Sequence, residues 1–195
     1  MLNITNVEAM ETLLGALGEQ LAATGERFEL VVVGGSGLLA LGTIERATRD
    51  VDVLALLADA DLCDPEPLPG GLLDARARVA RDFSLPEDWL NPGPSGLLRF
   101  GLPKGFVERL EARSFGTHLV VHFASRYDQI HLKLYATVDQ GPGKHLRDLE
   151  ALTPTGGELL TAARWAQTHD PSPGFAEALG QALAHFGVED EAVGP

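Results

Sequence analysis

Apolar residues recur at Met10, Leu13, Leu14, Leu17 and Leu21, the spacing of one helix face, and predict a helix over Val7–Ala23 with Asn6 as its cap. The period then changes. Leu30–Val33 is short, wholly apolar and β-branched, as expected of a strand buried on both faces. Gly34 and Gly35 break the run, and Ser36 is placed to cap a short helix carrying Leu38, Leu39 and Leu41 inward. A polar turn leads to a second apolar strand, interrupted near its start by Asp50 and Asp52. Acid, proline and glycine make Asp59–Gly71 read as a loop, and Leu72–Asp82 reads as a helix. Trp89-Leu90-Asn91-Pro92 opens a Gly/Pro-rich connection, with Trp89 as a packing anchor. Phe106–Glu111 fits neither period, and Thr117–Phe123 alternates like a strand.

Asp128–Thr137 fits either period and is read as a helix because it leads into a helical tail. Gly141-Pro142-Gly143 ends it, and a short helix follows over His145–Leu152. Thr155-Gly-Gly-Glu158 has capping-box form and opens a helix to about Thr168. Ser172-Pro173 opens the last helix, Gly187 closes it, and the acidic end from Val188 is expected to fray. The chain shows no repeat.

Composition narrows the class. The 195 residues, 45% hydrophobic and 22% charged, suffice for a globular core. A formal charge of −13 argues against a non-specific nucleic-acid binder, although a basic cleft on an acidic body is compatible with it. The single cysteine, Cys63, fits a reducing cytoplasm. No signal peptide opens the chain and no apolar run approaches about 18 residues, so neither export nor a membrane span is expected.

The candidate chemistry lies between residues 30 and 55. Gly34, Gly35 and Ser36 stand where a strand delivers the chain to a helix start; missing side chains let a phosphate approach the main chain, and unused N–H groups point at it. Asp50 and Asp52 are two apart on a strand and share a face. Two such carboxylates repel and resist desolvation, and a hard divalent cation offsets both costs. Magnesium takes one or two carboxylates plus substrate phosphates and waters, which would neutralise a transferring phosphoryl or nucleotidyl group. Arg46 and Arg49 are close in sequence and can pair with phosphate oxygens.

Gly-Gly-Ser followed by Arg46-Ala-Thr-Arg49-Asp50-Val-Asp52-Val resembles the minimal nucleotidyltransferase signature, a glycine pair with Ser before an Asp-x-Asp strand. Ile130-His-Leu-Lys133-Leu-Tyr-Ala and Lys144-His-Leu-Arg-Asp148-Leu resemble the lysine and aspartate motifs of the AbiEii-type abortive-infection toxin nucleotidyltransferases. Leu85-Pro-Glu-Asp-Trp89-Leu-Asn91 resembles a segment of a little-described branch of that group. The similarity covers about Leu30–Leu152. It implies that Gly34, Gly35 and Ser36 cradle the triphosphate, with Arg49 beside it, and that Asp50 and Asp52 bind magnesium or manganese. It also implies that Lys133 contacts phosphates and that Asp148 positions a group or acts as base. One departure stands out: many members carry a third carboxylate on a later strand, whereas Thr117–Phe123 offers only His118 and His122.

Other readings of the same residues remain. Gly35-Ser-Gly37-Leu-Leu-Ala40 fits a dinucleotide fingerprint, but that needs an acid about 20 residues on, at the second strand's end. Asp50 and Asp52 could be a solvated strand start. Lys133 could snorkel to solvent, Asp148 could lie on the surface, and Arg76, Arg78 and Arg81 could form a solvated helix face. His118 and His122 have the i, i+4 spacing of a metal pair only if their segment were helical.

The expectation is therefore an α/β (α+β) fold, a nucleotidyltransferase-like small mixed sheet flanked by helices. Residues 1–125 form the core, and 126–195 a helical part packed on it. The expected activity is metal-dependent transfer of a nucleotidyl group from a nucleoside triphosphate to a hydroxyl acceptor in the cytoplasm. The family implies RNA, tRNA among it, as acceptor and a co-encoded antitoxin as partner. The alternatives are a catalytically silent nucleotide-binding or protein-interaction module and a dinucleotide-binding enzyme.

Overall fold

The computed structural model describes residues 4–188. They form two compact units, one ending at Ser125 and one beginning at Arg126. The first is a mixed α/β unit built in the order α1 (Val7–Thr24), β1 (Phe28–Val33), α2 (Gly34–Ala40), β2 (Val51–Ala58), β3 (Asp61–Cys63), α3 (Gly70–Phe83), β4 (Leu90–Asn91), β5 (Glu111–Ser114) and β6 (Leu119–Phe123). Short 3-10 turns occupy Gly93–Arg99 and Val107–Arg109. The six strands make one sheet in the order β3-β2-β1-β6-β5, with β4 alongside β2. β1 runs antiparallel to β2 and parallel to β6, so the sheet is mixed. Leu30–Val33 are all buried, as a central strand covered on both faces requires. Helices α1 and α3 pack on each other, α1 also lies on β6, and α2 lies on β1 and β2.

The cap expected at Asn6 is present, its side chain accepting the N–H of Ala9 at 2.8 Å. The cap expected at Ser36 is not. Helix α2 begins at Gly34, so Ser36 lies inside its first turn, fully buried, and its hydroxyl donates to the carbonyl of Val33 at 3.4 Å. Asp50 lies just before β2 and not within it, while Asp52 is in the strand.

Three strands escaped the sequence pattern. Asp59 and Ala60 both have positive φ, 51° and 70°, which makes the two-residue turn that closes a right-twisted hairpin. Hence Asp61–Cys63, inside the expected loop, pairs antiparallel with β2. β4 is only two residues long, and β5 is an edge strand whose polar, charged residues carry no apolar alternation. Arg76 is also not part of a solvated face: it is half-buried, and its Nη1 donates to the carbonyl of Leu90 at 3.0 Å.

The second unit is helical: α4 (Arg126–Gln140), α5 (Lys144–Ala151), α6 (Gly156–His169) and α7 (Pro173–His185). α4 packs against each of the other three. Its buried residues run almost without a break from Asp128 to Leu134, which is why its sequence lacks a clean amphipathic period. The Thr155–Glu158 capping box forms as expected, and Ser172 accepts the N–H of Phe175 at 3.3 Å. Gly187 follows α7 with a φ of 70°. The acidic end expected to fray lies outside the described residues beyond Val188.

Candidate phosphate and metal site

β1 ends at Val33 directly opposite Asp52 of β2, and Asp52 is in turn in register with Asn91 of β4. The chain turns from β1 into α2 at Gly34 with a φ of 72°, a conformation that glycine adopts without strain. A β-carbon on Gly34 would collide with Oδ2 of Asp52, so the carboxylate lies hard against the glycine main chain. A β-carbon on Gly35 would stand 2.6 Å from Oγ1 of Thr48 and 3.8 Å from Nη2 of Arg46. The two glycines therefore floor a cradle walled by a carboxylate, a hydroxyl and a guanidinium.

The loop between α2 and β2 is held in place by its own main chain. Thr48 is buried and exchanges two hydrogen bonds with Ile4, at 2.8 and 2.9 Å, although no strand pattern marks either residue. Its hydroxyl lies 3.5 Å from Oδ1 of Asp50, which ties the first acid of the pair to the same wall. On the other side of β2, the N–H of Val51 donates to the carbonyl of Trp89 at 2.6 Å. Trp89 is fully buried, and its Nε1 donates to the carbonyl of Arg76 at 3.1 Å. This is the packing anchor expected of it, and it fixes Asn91 beside Asp52.

Among the described residues no group of three or more His, Cys, Asp or Glu side chains is gathered to hold a metal by itself. Asp50 and Asp52 are the acids at the cradle. Carboxylates such as that of Asp52, against Gly34, and that of Asp50, beside the Thr48 hydroxyl, are donors that magnesium uses when substrate phosphates and water complete its shell, so these residue types fit that ion. β6 supplies no acid. His122 is a half-buried partner of Glu29 at 2.9 Å, and His118 meets the Thr117 hydroxyl at 2.8 Å, so neither belongs to a metal pair.

In the helical unit, Lys133 of α4 and Asp148 of α5 meet at 2.7 Å between Nζ and Oδ2. Their side chains are only 7% and 1% exposed, so the lysine does not snorkel and the aspartate is not a surface residue. Both partners being buried, their contact offsets part of the desolvation cost of each charge. Arg126 opens α4 with a forked contact to Glu158, at 2.6 and 3.3 Å, and donates to the carbonyls of Leu152 and Thr153. That fork holds the Glu158 carboxyl down to about 2, with hydrogen bonds from Thr155 adding to the effect against the opposing pull of burial.

Thr48 and Asn91 were given no role from the sequence. Thr48 lies two residues before the Asp-x-Asp motif. Asn91 is recognisable only once β4 is known to pair with β2, because 38 residues separate it from Asp52, its partner in register. No helix among the described residues is long and apolar enough to cross a membrane.

No curated protein and no solved structure matches the chain. A family profile described as a nucleotidyltransferase of unknown function, DUF6036, matches residues 10–149, a span holding the cradle, both acids and the Lys133–Asp148 pair. The chain belongs to this nucleotidyltransferase family.

Proposed function

We propose that the protein transfers a nucleotidyl group from a nucleoside triphosphate to a hydroxyl acceptor, with magnesium or manganese. The observation that carries this reading is the Asp52 carboxylate lying against the main chain of Gly34, one residue before the Gly35–Thr48 contact. A carboxylate and a phosphate repel at close range; with a cation between them the carboxylate becomes a means of holding the phosphate. Asp50 and Asp52 would hold the ion, which supplies charge neutralisation to the phosphate chain.

The remaining work belongs to the chain's own residues. Gly34, Gly35 and Ser36 offer main-chain N–H groups of the first turn of α2, which have no partner within the helix. Arg46, near Gly35, and Arg49 bring positive charge to the phosphates. Lys133 would contact phosphate, with Asp148 holding its ammonium group at 2.7 Å. In the reaction the acceptor oxygen bonds to the α-phosphorus, the bond to the bridging oxygen breaks, and pyrophosphate leaves. The hydroxyl proton passes to solvent. Little covalent work falls to the protein, so positioning and electrostatics carry the rate.

The resemblance to AbiEii-type toxins extends the proposal to RNA, tRNA included, as acceptor and to a co-encoded antitoxin as partner. A catalytically silent nucleotide-binding module is the second reading, favoured by the two-carboxylate donor set at the cradle.

Each α-labelled triphosphate, incubated with magnesium, total RNA and the protein, tests the proposal. Label is expected to enter RNA with at least one triphosphate and to disappear in Asp52→Ala, whose fold should survive. Label that enters equally with Asp52→Ala removes the assignment. Nucleotide binding without label transfer to any acceptor selects the silent module.

A further inference from the structure

Asn91 reaches its place through an unusual amount of scaffolding for a two-residue strand. Trp89 is fully buried, its carbonyl takes the N–H of Val51, and the carbonyl of Leu90 takes Nη1 of Arg76. The product of these contacts is one polar side chain in register with Asp52 on a parallel neighbour. Residues in register on adjacent strands project from the same face of the sheet, about 5 Å apart. Asn91 therefore stands beside the carboxylate that touches Gly34.

The amide's orientation decides what it can bind. The N–H of Gly93 donates to Oδ1 of Asn91 at 2.9 Å, which identifies that end as the oxygen. Nδ2 is the other end, and among the described residues its one partner is the carbonyl of Asp88, at a long 3.5 Å. An amide nitrogen carries two hydrogens about 120° apart, so one remains to be used. A donor next to a cation site does not serve the cation. It serves an anion.

We propose that Asn91 is a substrate-binding residue of the cradle, donating its Nδ2 hydrogen to a phosphate oxygen of the bound nucleoside triphosphate. This rests on the nucleotidyl-transfer reading, to which it adds a neutral donor on the β4 side of Asp52. A neutral amide there also suits a site of two acids, because it binds the phosphate chain without a third negative charge to repel it.

Calorimetric titration of the wild-type protein with each magnesium triphosphate, and with magnesium tripolyphosphate, tests it. Two variants are compared. Asn91→Asp keeps an oxygen for the Gly93 N–H but removes the donor, and Asn91→Ser withdraws the amide donor without adding charge, its shorter hydroxyl no longer reaching as far as Nδ2. Both are expected to melt within a few degrees of wild type without ligand. Both should lose about ten-fold or more in affinity for the bound triphosphate and for tripolyphosphate alike, the size of a hydrogen bond to a charged group. Wild-type affinity in Asn91→Ser reduces Asn91 to a turn-former and overturns the proposal, leaving nucleotidyl transfer standing. A loss confined to triphosphates with tripolyphosphate unaffected also overturns it, because the contact would then be to sugar or base. Wild-type protein that binds none of these probes removes both readings together.

Discussion

Oδ2 of Asp52 occupies the space that a β-carbon on Gly34 would need. The glycine is thus required twice, once for its φ of 72° and once for the carboxylate packed on it. These two requirements can be separated. Gly42 has a φ of 67° with nothing within 4 Å of a β-carbon, so it carries the first requirement without the second.

Gly34→Ala and Gly42→Ala should each cost about 1–2 kcal/mol of stability for the left-handed backbone. Gly34→Ala alone should also displace Asp52, and with it nucleotide transfer and affinity. Denaturant melts and triphosphate titrations on the two variants make the comparison. Equal binding by both would mean that Asp52 is not held by the glycine.

Lys133 and Asp148 form a buried ion pair at 2.7 Å, so removing either partner takes a charged contact away from the buried other. Lys133→Met and Asp148→Leu should each destabilise by about 3–5 kcal/mol. Together they should recover most of that loss, and the recovered fold should still bind triphosphate more weakly than wild type if Lys133 meets phosphate. A double-mutant cycle by urea unfolding, followed by titration of the double variant, reads both effects.

Glu158 titrates at about 2 in the folded protein against an ordinary 4.5, chiefly through Arg126. A depressed carboxyl adds stability that is fully present above the unfolded value and is lost as pH falls through the folded one. Arg126 is 42% exposed, so solvent screens the pair and the effect is modest. Unfolding measured from pH 7 to pH 2 should show Glu158→Gln less stable than wild type at neutral pH. The gap should close progressively below about pH 4.5, with little change above it.

Trp89 supports β4 by volume and by one hydrogen bond to the carbonyl of Arg76. Trp89→Phe should cost about 1 kcal/mol from that unpaired carbonyl, and Trp89→Ala about 3–5 kcal/mol. Since Trp89 sets the position of Asn91, Trp89→Phe should weaken tripolyphosphate binding less than Asn91→Ser does. Melting and titration on the same three proteins check the order.

Local signals and tertiary ones can be told apart residue by residue. Asn6, the Thr155–Glu158 box and Ser172 announce helix starts because a cap depends on groups within three residues of itself. Leu30–Val33 and the Asp52 strand were legible for the same reason, being short runs whose burial is written in their own composition. The glycine pair and the two acids stand out in the sequence because few structural roles place those residue types at that spacing.

Neighbours distant in sequence decided the rest. Ser36 turned from a cap into a buried first-turn residue because α2 starts where β1 must bend around Asp52. β3, β4 and β5 exist through pairing with strands already in place, and a two- or three-residue strand has too few positions to show a period of its own. The segment around Lys133 leaves a solvated lysine open as one reading, and α5 closes it by bringing Asp148 to the buried ammonium. The chain by itself fixed which residues have the chemistry to hold a phosphate and a cation. Only the sheet's register set Gly34, Asp52 and Asn91 side by side, because hydrogen bonding between strands, not sequence distance, determines which side chains become neighbours.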